Sequence, residues 1–146
     1  MTGSSLTQGL ADTNVLILRH WIDPKMLPDE IAISAVTLAE LSAGPLYVRG
    51  GDQEARTERA RRILNLQWVE SHFDPLPFDA EAARAYGQLV GGVLALGRVP
   101  RRRHADLQIA ATAVVNGLPL YTTNPDDFAG LEQWVEVVAV PRPLVD

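Results

Sequence analysis

Residues 104–128 constrain the fold more than any other segment, because they combine a helix, a short strand and a polar turn. Asp106 lies in the first turn of the predicted helix, where a carboxylate suits the positive end of the helix dipole. The apolar stripe after Asp106 predicts a buried helix face, and Gly117 marks the helix end. A strand, LPLYTT, then ends in polar residues at Thr122. Ligands bind at the carboxyl ends of parallel strands, which makes this turn a candidate site.

Short apolar segments alternate with helical segments along the rest of the chain. Besides LPLYTT, the predicted strands are 10–11, 31–36 and 134–140. The other predicted helices are 15–21, 37–44 with Thr37 as its cap, 54–68, and 80–97 with Asp79 as its cap. The segment FDPLPF at 73–78 is too rich in proline for a central strand and is predicted to be an edge or extended segment. This alternation predicts an α/β fold with a central parallel sheet covered by helices.

Composition narrows the class of protein. A length of 146 residues, 47% of them apolar and 21% charged, predicts one globular domain over 1–146. The chain has no cysteine, which excludes disulfides, thiolate zinc sites and a cysteine nucleophile and leads us to expect a cytoplasmic protein. No apolar run approaches the roughly 20 residues of a membrane span, and the start does not resemble a secretory signal. The net charge of −5 argues against a bulk-basic nucleic-acid binder but allows local basic patches.

Four acidic residues lie at or just after predicted apolar elements. Asp12 and Asp126 follow strand ends, whereas Glu40 and Asp106 lie in helices that follow strands. Because parallel strands end at one edge of a sheet, these acids are expected to converge. Converging carboxylates raise one another's pKa unless a cation lies between them. Oxygen ligands without a His–Cys set favour Mg²⁺ or Mn²⁺, and metal-assisted phosphodiester hydrolysis is the chemistry that such a site performs.

Each acid also has a purely structural interpretation. Asp12 could cap the helix that follows it, and Glu40 could be a solvated helix residue. Asp106 could serve only the helix dipole, and Asp126 and Asp127 could be ordinary turn residues. Spacing alone leaves both interpretations open.

Four motifs resemble the PIN-domain ribonucleases, specifically the VapC-type toxins of bacterial toxin–antitoxin pairs. They are ADTNVLI around Asp12, SAVTLAELSAG around Glu40, HADLQIAATA around Asp106 and LYTTNPDDF around Thr122. Their order and separations also match, over residues 10–128. The resemblance implies a three-layer α/β/α sandwich with a central parallel sheet and Mg²⁺-dependent endonuclease action on RNA. It also implies a small antitoxin partner and a toxin homodimer within the toxin–antitoxin complex.

The same resemblance implies a role for each motif residue. It places metal-binding and catalytic roles on Asp12 and Asp106, and an acidic-site role on Glu40. Thr122 matches a hydroxyl that helps to position the metal or its water. Metal-assisted attack by water on the scissile phosphorus would then need no side chain as covalent nucleophile.

The turn after Thr122 departs from the family pattern. Many family members have an acid two residues after this threonine, where this chain has Asn124. The candidates for completing the metal site are therefore Asn124, Asp126 and Asp127. We predict Asp126, because the proline before it could bring the turn back over the strand end. Asp127 is predicted to point away, because it precedes an apolar residue, Phe128, that should pack inward.

Arginines directly precede the predicted helix that carries Asp106. Arg101, Arg102 and Arg103 are predicted either to hold RNA phosphates at the rim of the site, together with Thr122 and Asn124, or to form a solvated basic loop.

One alternative to the nuclease is a small-molecule phosphatase. It would use Asp12 as a nucleophile, but the motif DTN lacks a second acid two residues after Asp12. The other alternative is a catalytically inactive module that binds RNA or protein.

Overall fold

A four-stranded parallel sheet lies at the centre of the part of the chain that the structure, a computed structural model, describes: residues 6–98 and 104–144. Its strands are β1 (Gln8–Ala11), β2 (Glu30–Ala32), β3 (Leu120–Thr122) and β4 (Val137–Ala139). The spatial order is β2-β1-β3-β4, and each neighbouring pair is parallel. The predicted parallel sheet is confirmed, and the carboxyl ends of its strands share one edge.

Helices cover both faces of this sheet. They are α1 (Thr13–Leu18), α2 (Ala35–Ala43), α3 (Gln53–His72), α4 (Ala80–Ala95) and α5 (His104–Val115). Leu10 and Leu120 belong to a buried cluster with α4 and α5, whereas Ala11 belongs to a second cluster with α1, α2 and α3. Adjacent residues of a strand face opposite sides of the sheet, so the two clusters are separate cores on its two faces. The α/β/α sandwich is therefore confirmed.

The second strand is shorter than the predicted segment 31–36. It ends at Ala32, and the backbone N–H of Val36 donates a hydrogen bond of 3.0 Å to the Ser34 hydroxyl. Ser34 is therefore the cap of α2, and the prediction of Thr37 as the cap is wrong: Thr37 is buried inside the helix. Because Ser34 satisfies a free N–H of the following helix, the strand ends four residues before the predicted segment does.

Several other predicted boundaries hold. The 73–78 segment makes only an isolated parallel bridge, between Ser34 and Leu76, as expected of an extended segment. Asp79 caps α4 through a 3.0 Å hydrogen bond from the Ala82 N–H. Gly117 follows α5 with a φ of 64°, a left-handed conformation that suits glycine at the end of a helix.

Within the described ranges, no helix is long and apolar enough to cross a membrane. The one-domain assignment to 1–146 stays a prediction.

Candidate active site

Asp12 lies directly beyond β1 and is buried. Its Oδ1 accepts a 3.2 Å hydrogen bond from the Val15 backbone N–H, so Asp12 does cap α1. Its Oδ2 accepts a 2.5 Å hydrogen bond from the Thr122 hydroxyl, 110 residues away in sequence. This contact forms because β1 and β3 are neighbours in the sheet and end at the same edge. Asp12 therefore has the capping role that the sequence left as one alternative and also contacts Thr122, whereas its metal-binding role stays a prediction.

Burial raises the pKa of the Asp12 carboxyl above its ordinary value. The hydrogen bonds from Thr122 and from the backbone of Val15 and Asn14 oppose this effect, and the negative charge of Asp127 adds to it. A cation beside Asp12 would favour the ionised form and offset the cost of burying it. The electrostatics at Asp12 therefore favour a bound cation.

Replacing Asp12 by asparagine should raise the thermal midpoint of the metal-free protein at pH 7. A raised pKa means that folding favours the protonated acid, so this stability is present at low pH and is lost as pH rises through the folded-state pKa. Asparagine removes the charge and still caps α1 through its carbonyl oxygen. Each kcal/mol gained in the free energy of unfolding should raise the thermal midpoint by about 2–4 °C.

Calorimetry in EDTA between pH 4 and pH 8 measures this effect, and the advantage of Asp12→Asn should shrink toward pH 4. Asp12→Ala is the matched control, because it removes the same charge together with the cap, which costs about 1 kcal/mol. A midpoint for Asp12→Asn below that of the wild type at pH 7 would contradict the burial penalty.

Three of the predicted acids line one cleft of ≈ 800 Å³. Asp12 reaches it from the end of β1, Glu40 from α2 and Asp106 from the first turn of α5. The convergence expected from a parallel sheet is therefore present. Asp12 is buried, Asp106 is half-buried and Glu40 is exposed, so the cleft runs from the sheet edge to solvent.

The donor set in this cleft suits a cation that keeps some of its water. Among the described residues, no group of three or more His, Cys, Asp or Glu side chains lies close enough together to hold a metal ion. Mg²⁺, however, is commonly held through one or two carboxylates and several waters. Asp12 and Asp106 supply oxygen donors only, and Asp12 is buried and of raised pKa. These residues fit Mg²⁺ or Mn²⁺ better than a metal that needs a closed cage of protein ligands.

Two threonines for which no role in the site was predicted lie beside Glu40, one in direct contact and the other through the first. The Thr13 hydroxyl donates to Glu40 Oε1 at 2.5 Å and lies 3.1 Å from the Thr37 hydroxyl. A signal for both was present in the sequence: Thr13 follows Asp12 directly, and Thr37 precedes Glu40 by three residues on one helix face.

The turn after β3 carries the acids Asp126 and Asp127. Residues Pro125–Phe128 form a short 3₁₀ helix in which Phe128 is fully buried, Asp126 is exposed and Asp127 is half-buried. The negative charge of Asp127 contributes to the raised pKa of Asp12, so Asp127 is a candidate for the site beside Asp126, and the orientation predicted for each side chain stays a prediction. Phe128 packs inward as predicted, whereas Asp126 lies on the solvent side. The metal-binding and catalytic roles of Asp126 stay predictions.

The Asp127→Asn variant should raise the Mg²⁺ requirement of cleavage by about fivefold, because one charge near a bound cation contributes roughly 1 kcal/mol in a solvated site. Asp126→Asn is the matched control, since it removes the same charge from the exposed position of the same turn and should change the requirement less. The measurement is an Mg²⁺ titration of the cleavage rate for the two variants. A larger effect of Asp126→Asn would support the original assignment.

Asn124 is held at the strand end by two contacts. Its backbone N–H donates to the Thr122 hydroxyl at 2.9 Å, and its side-chain oxygen accepts a 3.3 Å hydrogen bond from Arg142 Nη1. Arg142 was not singled out from the sequence, and an acid in place of Asn124 would face this cation. Predicted phosphate-binding residues Arg101, Arg102 and Arg103 lie outside the described residues, so their role stays a prediction, as does substrate binding by Thr122 and Asn124.

Exposed apolar and aromatic side chains line the same cleft as the three acids, Asp12, Glu40 and Asp106, which form its acidic end. They are Ile17, Trp21 and Leu64. The Arg19 guanidinium lies 3.7 Å from the centroid of the Trp68 ring, a cation–π contact, and also donates to the Asn65 side chain. The cleft therefore joins an acidic end to an exposed apolar surface.

A family model described as "PIN domain" matches residues 10–132, which include every residue of the acidic end of the cleft. The chain belongs to the PIN domain family. The family resemblance seen in the four sequence motifs is thereby confirmed.

Relatives of this PIN domain carry the name of VapC ribonucleases. Ribonuclease VapC5 of Mycobacterium tuberculosis is 37% identical over 137 residues, which cover 90% of this chain and 95% of that protein. VapC ribonuclease Y4jK of Sinorhizobium fredii is 34% identical over 77% of this chain and 78% of its own. A crystal structure of VapBC-5, a member of the VapBC family of toxin–antitoxin systems from M. tuberculosis, matches with a TM-score of 0.76 and 36% identity over 92% of this chain and 99% of that one.

Proposed function

We propose that this PIN domain is a Mg²⁺-dependent endoribonuclease and the toxin of a VapBC-type toxin–antitoxin pair. One observation carries the proposal: Asp12, Glu40 and Asp106 converge on one cleft at the carboxyl edge of a parallel sheet. The VapC ribonucleases at 32–37% identity support the substrate class. Mn²⁺ is expected to substitute for Mg²⁺, because both prefer oxygen donors.

In this proposal, the acids bind the cation either directly or through water. Asp12 and Asp106 would hold the cation, with Glu40 and the less exposed acid of the turn, Asp127, acting directly or through water. The chemistry that a cation held by these residues would supply is activation of water toward the scissile phosphorus and stabilisation of the negative charge that develops there. The Thr122 hydroxyl keeps the Asp12 carboxylate in one orientation by donating to its Oδ2.

The partner in this proposal is a small antitoxin that covers the cleft. The named structural relative is a VapBC member, and the cleft joins the acids to exposed Ile17, Trp21 and Leu64. An antitoxin segment with apolar side chains followed by a basic one would cover that surface and gain from the carboxylates. A toxin homodimer within this complex is part of the same proposal.

Expression of the protein alone should arrest bacterial growth, and expression of the Asp106→Asn form should not, because RNA cleavage would require the acidic end of the cleft. Sequencing the 5′ ends of RNA fragments after brief induction tests the activity directly, with Asp106→Asn as the control. Phosphomonoester hydrolysis without RNA cleavage would instead support a phosphatase. RNA binding without turnover by either form would indicate an inactive module.

A further inference from the structure

Two threonines form a hydrogen-bond chain that ends on Glu40. The Thr13 hydroxyl oxygen lies 2.5 Å from Glu40 Oε1 and 3.1 Å from the Thr37 hydroxyl oxygen. Because a carboxylate only accepts hydrogen bonds, Thr13 must donate its single hydroxyl proton to Glu40. Thr37 must then be the donor to Thr13, although the distance by itself allows either direction. The chain therefore runs from Thr37 to Thr13 to Glu40.

We propose that Thr13 and Thr37 are positioning residues that orient the Glu40 carboxylate toward the cation in the cleft. The inference rests on the proposed function, because it needs a cation site at the acidic end. Thr37 is fully buried within α2, so its hydroxyl is held in place by packing. Thr13 is the first residue of α1, next to Asp12. The chain thus ties an exposed glutamate to the helix that Asp12 caps.

The benefit of this arrangement is preorganisation of Glu40. An exposed glutamate samples many rotamers, and ordering it when a ligand binds costs entropy. A hydrogen bond from Thr13 removes part of that freedom beforehand, and the bond from Thr37 polarises the Thr13 hydroxyl and strengthens it. Hydrogen-bond partners of metal ligands commonly change metal affinity by about 10- to 100-fold when they are removed.

The test measures Mn²⁺ binding to the metal-free protein by the paramagnetic resonance signal of free Mn²⁺, without any cleavage assay. Thr13→Val keeps the side-chain volume and removes the hydroxyl, and should weaken binding by about tenfold. Thr13→Ser restores a hydroxyl and should bind nearly as the wild type does. Thr37→Val should show a smaller loss than Thr13→Val, because it acts on Glu40 only through Thr13.

The structure offers a matched control outside the cleft. Thr112 is fully buried and pairs with the Ser34 hydroxyl at 3.2 Å, so Thr112→Val breaks a similar buried hydroxyl pair. This variant should keep wild-type Mn²⁺ affinity. The decisive comparison is Thr13→Val in a Glu40→Gln background, where it should cause no further loss, because the carboxylate that it orients is gone.

The remaining outcomes distinguish the positioning role of Thr13 from the proposed function. A folded Thr13→Val with wild-type affinity, or an equal loss in the Glu40→Gln background, overturns the positioning role while leaving the proposed function intact. A wild-type protein that binds no Mn²⁺ overturns the proposed function and this inference with it. If Thr13→Val does not fold, Thr13→Ala, which adds no bulk, replaces it with the same expectations.

Discussion

RNA cleavage by the Asp106→Asn variant is expected to be about 100-fold slower or worse than that of the wild type, the scale of removing an electrostatic group at a reacting centre. Asp106 reaches the cleft from the first turn of α5, and Asp12 and Glu40 line the same cleft. Asparagine keeps the shape of the side chain but removes the charge that a divalent cation needs. Asp12→Asn should lose activity on the same scale.

The matched control for this loss is Asp29→Asn. Asp29 accepts hydrogen bonds from the Thr7 N–H and hydroxyl at the amino-terminal end of the sheet, the end opposite to Asp12. It undergoes the same chemical change and should retain wild-type cleavage. Initial rates on a defined RNA, with folding verified by circular dichroism, provide the measurement. Undiminished cleavage by folded Asp106→Asn would remove Asp106 from the catalytic site.

Removal of divalent cations is expected to abolish cleavage, and addition of Mg²⁺ or Mn²⁺ to restore it. The described acids supply oxygen donors, and the sequence has no cysteine with which to build a thiolate site. Since no group of three or more ligating side chains among the described residues could enclose an ion, the cation should be held partly through water and exchange readily. EDTA should therefore act within the mixing time of the assay.

Two controls make the metal result specific. An Asp106→Asn preparation purified in parallel reports contaminating ribonucleases, many of which need no metal. Thermal midpoints with and without Mg²⁺ report binding independently of cleavage, since a ligand that binds only the folded state stabilises it. Mg²⁺ should raise the midpoint of the wild type more than that of Asp12→Asn. Full cleavage in EDTA by the wild type alone would contradict a metal mechanism.

Local signals predicted the elements whose ends carry their own caps. Asp79 lies before an amphipathic segment and caps α4, and Gly117 ends α5 with a positive φ. Such caps act within a few residues of sequence, so they can be recognised without the fold. The second strand was overestimated for a related reason: its apolar run continues into α2, and Ser34, whose capping role depends on the local backbone, divides the two.

Four motifs in order determined the family and the parallel α/β/α architecture, and with them the convergence of Asp12, Glu40 and Asp106. A parallel sheet brings the ends of its strands to one edge whatever the intervening segments are, so this part of the site follows from strand order and motif position. The roles of these acids in metal binding and catalysis remain predictions, which the cleavage assay of Asp106→Asn and the removal of divalent cations test.

Only the tertiary structure decided how the acids are oriented and hydrogen-bonded. Thr122 contacts Asp12, and Thr13 contacts both Thr37 and Glu40. Each of these contacts joins residues that are distant in sequence, so its geometry depends on how the strands and helices pack. The difference in exposure between Asp126 and Asp127 belongs to a short 3₁₀ helix that buries Phe128. Sequence spacing specifies which strand end carries an acid, but only packing of the neighbouring side chains determines which acid of a turn is the less exposed.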